Sequence, residues 1–484
     1  MTEPQTMSVS TKESAGIPRS STAVLDGRPA ACEPQAEEQK GGGRRVYAST
    51  ALWGLAMFAV VCQLMAATKL GSLHPEDFPY PTWTSWAIKE YNSPKTPTPN
   101  LVFLGSSLML VPLDGVDADF TKKPIDGAKH HKSIFFESKF KDYSGDSIKT
   151  FNLALPGEMP SDAYLLTKFL LKNEKRPDVI VYGVGPRDFM DNLLPSPKAT
   201  DPFRYLSRLG DYNERIDLIA PKWEERLAYE LARAIYPLGE SENIMTSISR
   251  QFNNFLVATF PNVTPSSTDK RRGLLPEYHP FEINLKECYF RPTDEKNRPP
   301  FVDNIDEYRK RYKTLKQDTF ESQMQFLTDI LDTANARGTH VVLLAMPITD
   351  INRQLISDKA WEQYKTSLEK LAAAKGATYF DFYATKQFPL SDFGDTVHLH
   401  SGGGARLLDM LAKKLADNHE IISSFNINRH DDTEPQVASL DTPIADSQST
   451  AKSINSSSRT NPGGGSSKQL NPAKQIAGVK DGAM

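Results

Sequence analysis

Three short stretches of this 484-residue chain carry side chains suited to acyl chemistry. In the first, the apolar run Leu101 to Leu104 leads into Gly105-Ser106-Ser107, where the glycine permits a tight turn and a serine hydroxyl can be presented as a nucleophile. In the second, Asp395-Thr396-Val397-His398-Leu399, a carboxylate stands three residues before a histidine and can turn back onto its ring. Such a carboxylate fixes the imidazole tautomer and stabilises the imidazolium, so the histidine can take the proton of a serine hydroxyl. The third is Gly157, at the end of Phe151-Asn152-Leu153-Ala154-Leu155-Pro156-Gly157 and just before a helix expected to begin near Ser161. A glycine there lets a backbone N–H come close to a substrate, as an oxyanion donor must. Each stretch also has a plainer reading: a serine after a strand commonly caps a helix, Asp395 can cap a turn beside a surface histidine, and Gly157 can be a simple turn glycine. Position favours chemistry for the Asp395 to His398 turn, which lies between a strand and a Gly-rich helix start. No cofactor or metal is expected, because Cys32, Cys62 and Cys288 fall in three unrelated settings without ligand spacing or a disulfide framework.

These groups can act together only if the chain between them folds to bring them to one edge. From Asn100 onward, short β-branched or aromatic runs alternate with amphipathic helical patterns, which predicts a parallel sheet covered by helices. The expected strands are Leu101 to Leu104, Val179 to Tyr182, His340 to Ala345 and Thr378 to Phe382. One helix, with Phe320, Met324, Leu327 and Leu331 on one face, should stop at Gly338; the next, with Trp361, Tyr364, Leu368 and Leu371, at Gly376. A last helix places Leu407, Leu408, Leu411 and Leu415 inward, with Ser401 as its expected N-cap. Ligands of open parallel sheets bind beyond the carboxyl ends of the strands, which is where Ser107 and the Asp395 to His398 turn fall.

Between Asp191 and Asp318 the alternation stops, in a segment too long and too aromatic for a simple loop. A helix is expected from Pro221, with Trp223, Leu227 and Leu231 on one face, and is expected to end at Pro237. The segment 191–318 reads as a mainly helical insertion, a cap or a partner surface. Near its end Tyr308, Arg309, Arg311 and Tyr312 form an amphipathic cluster suited to packing and surface pairing.

Both ends of the chain are poor in large apolar residues, so 1–43 and 428–484 are expected to be disordered tails. The uncharged apolar run 46–68 is long enough to cross a bilayer as a helix, and the lipid bilayer is the partner it implies. Arg44 and Arg45 precede it, while Glu76 and Asp77 follow Lys69, so the N-terminus should be cytoplasmic and the body periplasmic or extracellular. A cleavable signal peptide and a buried core helix are the competing readings; the long preceding tail argues against the first and the lack of a polar face against the second. With a net charge of -3 and mixed signs along the chain, there is no basic stripe for nucleic acid.

In order and content these motifs resemble the SGNH (GDSL-like) hydrolase superfamily from Leu101 to about Ala416. Gly105-Ser106-Ser107 is similar to its Gly-Asp-Ser block, Gly157 to its second-block glycine, and Asp395-x-x-His398 to its last block, which is the most specific match. The resemblance implies a three-layer α/β/α, flavodoxin-like parallel sheet over 100–420, and a catalytic triad of Ser107, His398 and Asp395. The third block, normally Gly-x-Asn-Asp, is here Gly185-Pro186-Arg187-Asp188. Arg187 thus stands where an oxyanion-binding asparagine is implied, and it can donate to an oxyanion, bind an anionic substrate or pair with Asp188. The chain is most similar to the membrane-anchored, envelope-facing branch, whose members acetylate alginate or cellulose or help to D-alanylate teichoic acid. That implies a serine esterase or O-acyltransferase acting on polysaccharide beside a multi-pass membrane acyltransferase. The alternative is a catalytically silent domain of the same type that binds glycan or scaffolds a complex.

Overall fold

Strand β1 (Leu101–Gly105) is buried along its whole length, as a central strand with both faces covered must be. It pairs in parallel with β2 (Thr150–Asn152) on one side and with β3 (Val179–Val184) on the other. Strands β4 (His340–Ala345) and β5 (Thr378–Asp381) extend the sheet from β3, giving the order β2-β1-β3-β4-β5, parallel throughout. The sheet grows in one direction from β1 to β2 and in the other from β1 to β3, so its topological switch point lies at the carboxyl ends of β1 and β3. This is a computed structural model of the full chain, and it describes residues 50–69, 83–194, 196–207, 209–259, 289–293 and 298–426. The expected tails and the flanking Arg44, Arg45, Glu76 and Asp77 lie outside the described residues.

The four strands expected from the sequence are present within a residue or two of their predicted bounds; the pattern did not single out β2, nor the separate two-residue antiparallel pair Ile125–Asp126 and Tyr289–Phe290. A three-residue strand is too short for any periodicity to register. Parallel neighbours need helical crossovers between them, and these set the layers. Helices α2 (Ser107–Thr121) and α3 (Ile134–Ser144), between β1 and β2, pack with α7 (Ser401–Ala416). Helix α4 (Pro160–Phe169) packs against α5 (Gln317–Ala336), which also meets α6 (Asp358–Lys375), as helices on the opposite face do. Phe320, Leu327 and Leu331 of α5 and Leu407, Leu408, Leu411 and Leu415 of α7 are buried, each contributing on the order of 1.5–3 kcal/mol by leaving water. Helix α5 gives way to Gly338 and α6 to Gly376, as expected.

One cap differs from expectation. Helix α7 is capped by His400, whose Nδ1 accepts from the backbone N–H of Gly402 (2.9 Å) and Gly403 (3.3 Å), while Ser401 is already the first helical residue. A ring nitrogen on the preceding residue reaches the same orphan amides that a serine hydroxyl would.

Between β3 and α5 the described residues are mainly helical, with Trp223–Ala234 and Ser241–Thr259 the longest segments. The first of these ends at Ile235, and Pro237 lies inside the next one-turn helix, Tyr236–Gly239. Tyr308 and Tyr312 pack in the core, Arg311 pairs with Asp191 and Glu307, and exposed Arg309 pairs with Asp306. Separately, helix α1 (Thr50–Thr68) has no charged residue, and its 19 residues span about 28 Å, close to the ~30 Å thickness of a hydrocarbon core. It is long and apolar enough to cross a membrane.

Candidate active site

The end of β1 decides where Ser107 can go. Gly105 has φ +141°, and a side chain there would bring its Cβ within 2.6 Å of the Gly183 carbonyl oxygen on neighbouring β3, so only glycine lets the strand end this way. Ser106 follows in extended conformation, and Ser107 starts α2, half-buried at its first turn. The amides of Met109 and Leu110 both bond back to the Ser106 carbonyl, which leaves the amides of Ser107 and Leu108 as orphan donors of the helix start.

Ser107 Oγ lies 2.8 Å from His398 Nε2, and His398 Nδ1 lies 2.7 Å from Asp395 Oδ2. This is the relay of hydroxyl, imidazole and carboxylate that a serine nucleophile requires. The other carboxylate oxygen, Asp395 Oδ1, accepts from the backbone N–H of Val397 (2.8 Å) and His398 (2.7 Å), so one side chain both shapes the turn and holds the ring. Asp395 is 1% exposed. Burial alone would raise its carboxyl, but the neighbouring His398 and the two amides outweigh it and hold the group below the usual carboxylate range. Ser106 Oγ points elsewhere: it is buried and makes no hydrogen bond among the described residues.

Three residues that sequence reasoning missed pin this turn. Thr349 Oγ1 donates to the Thr396 carbonyl (2.7 Å), Asn352 Nδ2 donates to Thr396 Oγ1 (3.0 Å), and Asn304 Oδ1 accepts from the Thr396 amide (3.2 Å). Thr349 and Asn352 follow the end of β4, Thr349 capping the one-turn helix Asp350–Arg353 that holds Asn352, so the rule that points to the other strand ends would have found them. Asn304 comes from the far end of the 191–318 segment and carries no local signal. Beside it, Val302 N–H donates to the Gly394 carbonyl (2.8 Å), so this segment is built into the wall of the site.

Gly157 lies on the second turn, with φ +77° and open space where a side chain would be; its conformation, rather than crowding, calls for glycine. The turn is tied to the end of β1 by Leu155 N–H donating to the Gly105 carbonyl (2.9 Å). Glu158, also missed, strengthens that tie. Its Oε1 accepts from Gly105 N–H and its Oε2 from Leu155 N–H, each at 3.1 Å, and it is almost wholly buried. Burial, with a smaller contribution from Asp162, raises its carboxyl well above the ordinary range against the pull of those two amides. Among the described residues neither the Ser107 N–H nor the Gly157 N–H donates within the chain, so both are available to an incoming oxygen.

Of the three roles open to Arg187 in the sequence, the geometry displays the pairing. Its Nε donates to Asp188 Oδ1 (3.2 Å), Nη1 lies 4.0 Å from Asp191, and Nη2 donates to the Glu158 carbonyl (3.3 Å). Burial disfavours its charge, but Asp188 and Asp191 more than compensate. Asp188 in turn accepts from Gly185 N–H (2.8 Å), so the Arg187 guanidinium, ion-paired within the turn after β3, ties that turn to the Gly157 turn through the Glu158 carbonyl. All five candidate residues therefore fall at the carboxyl ends of strands or on turns bonded to them. Among the described residues no cluster of histidine, cysteine or carboxylate side chains could hold a metal ion.

Among the described residues, the fold and the site define a mixed α/β protein with a five-stranded parallel sheet, a bonded Ser–His–Asp relay at its switch edge, and one apolar helix of membrane-spanning length near the N-terminus. No protein-family model matches the chain, and no curated protein matches it.

Proposed function

We propose that this chain is a membrane-anchored serine esterase or O-acyltransferase of the SGNH type, facing outward and acting on the O-acyl groups of envelope or exported polysaccharide. The observation that carries the reading is the Ser107–His398–Asp395 relay, with contacts of 2.8 and 2.7 Å. In the first half-reaction His398 Nε2 takes the hydroxyl proton as Ser107 Oγ attacks the carbonyl carbon of an ester. The N–H groups of Ser107 and Gly157 receive the oxyanion; collapse breaks the ester bond, and His398 returns the proton to the departing oxygen. The acyl group now rests on Ser107. In the second half, an acceptor hydroxyl gives its proton to His398 and attacks the acyl-serine; the bond from the acyl carbon to Ser107 Oγ breaks, His398 returns the proton to that oxygen, and the acyl group leaves on the acceptor. A sugar hydroxyl as acceptor makes the enzyme a transferase, and water makes it an esterase. For the transferase, the resemblance implies as partner a multi-pass membrane acyltransferase that delivers acyl groups across the bilayer.

Treatment of the reconstituted full chain with a fluorophosphonate and with an activated aryl acetate tests the proposal. Labelling and turnover that vanish in Ser107→Ala are the expected result. A second reading, a silent domain of the same type that binds glycan, draws on Arg187, which stands at an oxyanion position yet is bonded to Asp188 and to the Glu158 carbonyl. Glycan binding without labelling or turnover in the unmodified chain would select it.

A further inference from the structure

We propose that helices Trp223–Ala234 and Ser241–Thr259 form a surface that lies in the outer interface of the lipid bilayer and rests the body of the protein on it; this builds on the membrane-anchor reading. In the first helix Trp223, Leu227 and Leu231 recur every four residues on one face and remain exposed, Trp223 by 70%. In the second, Met245, Ile248, Phe252 and Phe255 follow spacings of three, four and three residues, and all are exposed, Phe255 by 60%. A contiguous helical stripe of this kind is costly to leave in water, and monomeric proteins rarely do so without a partner.

Three observations identify lipid as that partner. First, residues 69–82 are all that separate α1 from the helix Trp83–Asn92 that opens the body, and 14 residues reach at most roughly 50 Å, so an anchored body stays within that distance of the membrane. Second, within the part of the chain from Val61 onward, Cys62, Gln63 and Ala66 share the wall of a cavity of about 720 Å³ with Tyr212 and Tyr229 and with the charged Asp211 and Arg233. Cys62 is six residues from the end of α1, about 9 Å of helical rise, and an interfacial amphipathic helix buries its apolar face ≈5–10 Å deep. Third, the side chains are those of an interface: tryptophan with large aliphatic and aromatic groups on the exposed stripe, and five acidic against three basic residues between Trp223 and Thr259. With that slight negative balance, binding rests on apolar area and does not require anionic lipid.

The test uses the full chain with Cys32, Cys62 and Cys288 replaced by serine, reconstituted alone into phosphatidylcholine liposomes. An environment-sensitive fluorophore is placed at Ile248→Cys, and for comparison at Tyr143→Cys, an exposed position on α3. The label at 248 is expected to lose most of its emission to a quencher carried on lipid chains and little to aqueous iodide, with the reverse at 143. High salt should leave both unchanged. If the chain floats with the liposomes while the label at 248 stays open to iodide, the surface serves another protein and the proposal falls. If shielding at 248 appears only as the protein-to-lipid ratio rises, the occupant is a second copy, and the proposal falls equally. If the chain does not float with the liposomes, the anchor reading fails and takes this one with it.

Discussion

Replacing Asp395 by asparagine probes the relay while disturbing little else. The carboxylate has two separate tasks: Oδ1 accepts the amides of Val397 and His398 (2.8 and 2.7 Å), and Oδ2 accepts His398 Nδ1 at 2.7 Å. An asparagine carbonyl can keep both amide bonds, so the turn survives. The amide NH2 at the other position donates and cannot accept, which drives the His398 proton to Nε2, the nitrogen that faces Ser107. A ring protonated there is no base toward the serine. The negative charge that would stabilise the imidazolium is lost as well, and since Asp395 is held below the usual carboxylate range, that charge is otherwise present throughout neutral pH. Together these losses should lower kcat by about 10⁴-fold, equivalent to about 5.5 kcal/mol of transition-state stabilisation. Turnover of an activated aryl acetate and the rate of fluorophosphonate labelling would measure it, with thermal unfolding as the control for an intact turn. A variant that melts like the parent and keeps activity within tenfold would show that His398 does not depend on Asp395, and the relay would not be the catalytic base system.

Further outcomes follow from neighbouring groups. Ser107→Ala should abolish labelling while Ser106→Ala retains measurable turnover, because only Ser107 Oγ reaches His398; the opposite pattern would shift the nucleophile by one residue. Arg187→Ala should slow turnover of neutral ester and charged polymer alike and lower the melting temperature, since a broken buried ion pair typically costs about 3–5 kcal/mol. A loss confined to the charged polymer would make Arg187 an anion-binding residue instead. Burial, against the Thr200 hydroxyl and the Met159 amide, pushes the Asp162 carboxyl up to about 7. The folded state then holds a proton that the unfolded chain releases near its ordinary value, so stability should fall as pH rises from about 4 to 7, by up to about 1.4 kcal/mol per unit. Chemical denaturation at several pH values should show this decline, and Asp162→Asn should lessen its slope, the raised Glu158 carboxyl supplying part of what remains; an unchanged slope would remove Asp162 from the account. Protease shaving of intact cells should digest the body and spare the N-terminal tail, and a body protected until the membrane is opened would reverse the proposed topology.

Much of this protein is legible in its sequence because the deciding forces are local. Apolar runs bounded by turn residues mark β1, β3, β4 and β5, and the stripe from Phe320 to Leu331 marks α5, since burial of one face imposes its period on the chain. The three-residue gap between Asp395 and His398 already permits a carboxylate to meet its own ring. What lies beyond that reach depends on the closure of the sheet. Ser107 and His398 are 291 residues apart, and they meet because the ends of β1 and the loop before α7 converge on one edge of a sheet whose strand order no local pattern records. The same holds for Asn304 and Glu158, whose side chains find the site through backbone amides of distant turns. It holds also for Trp223, Leu227 and Leu231: their spacing declares a helix with an apolar face, but whether that face is covered depends on what the rest of the fold packs against it, and here it is left exposed. Side-chain chemistry and short spacings are written in order along the chain, whereas the contacts that join them are fixed by loop closures spanning tens to hundreds of residues, and only the packed sheet selects among those.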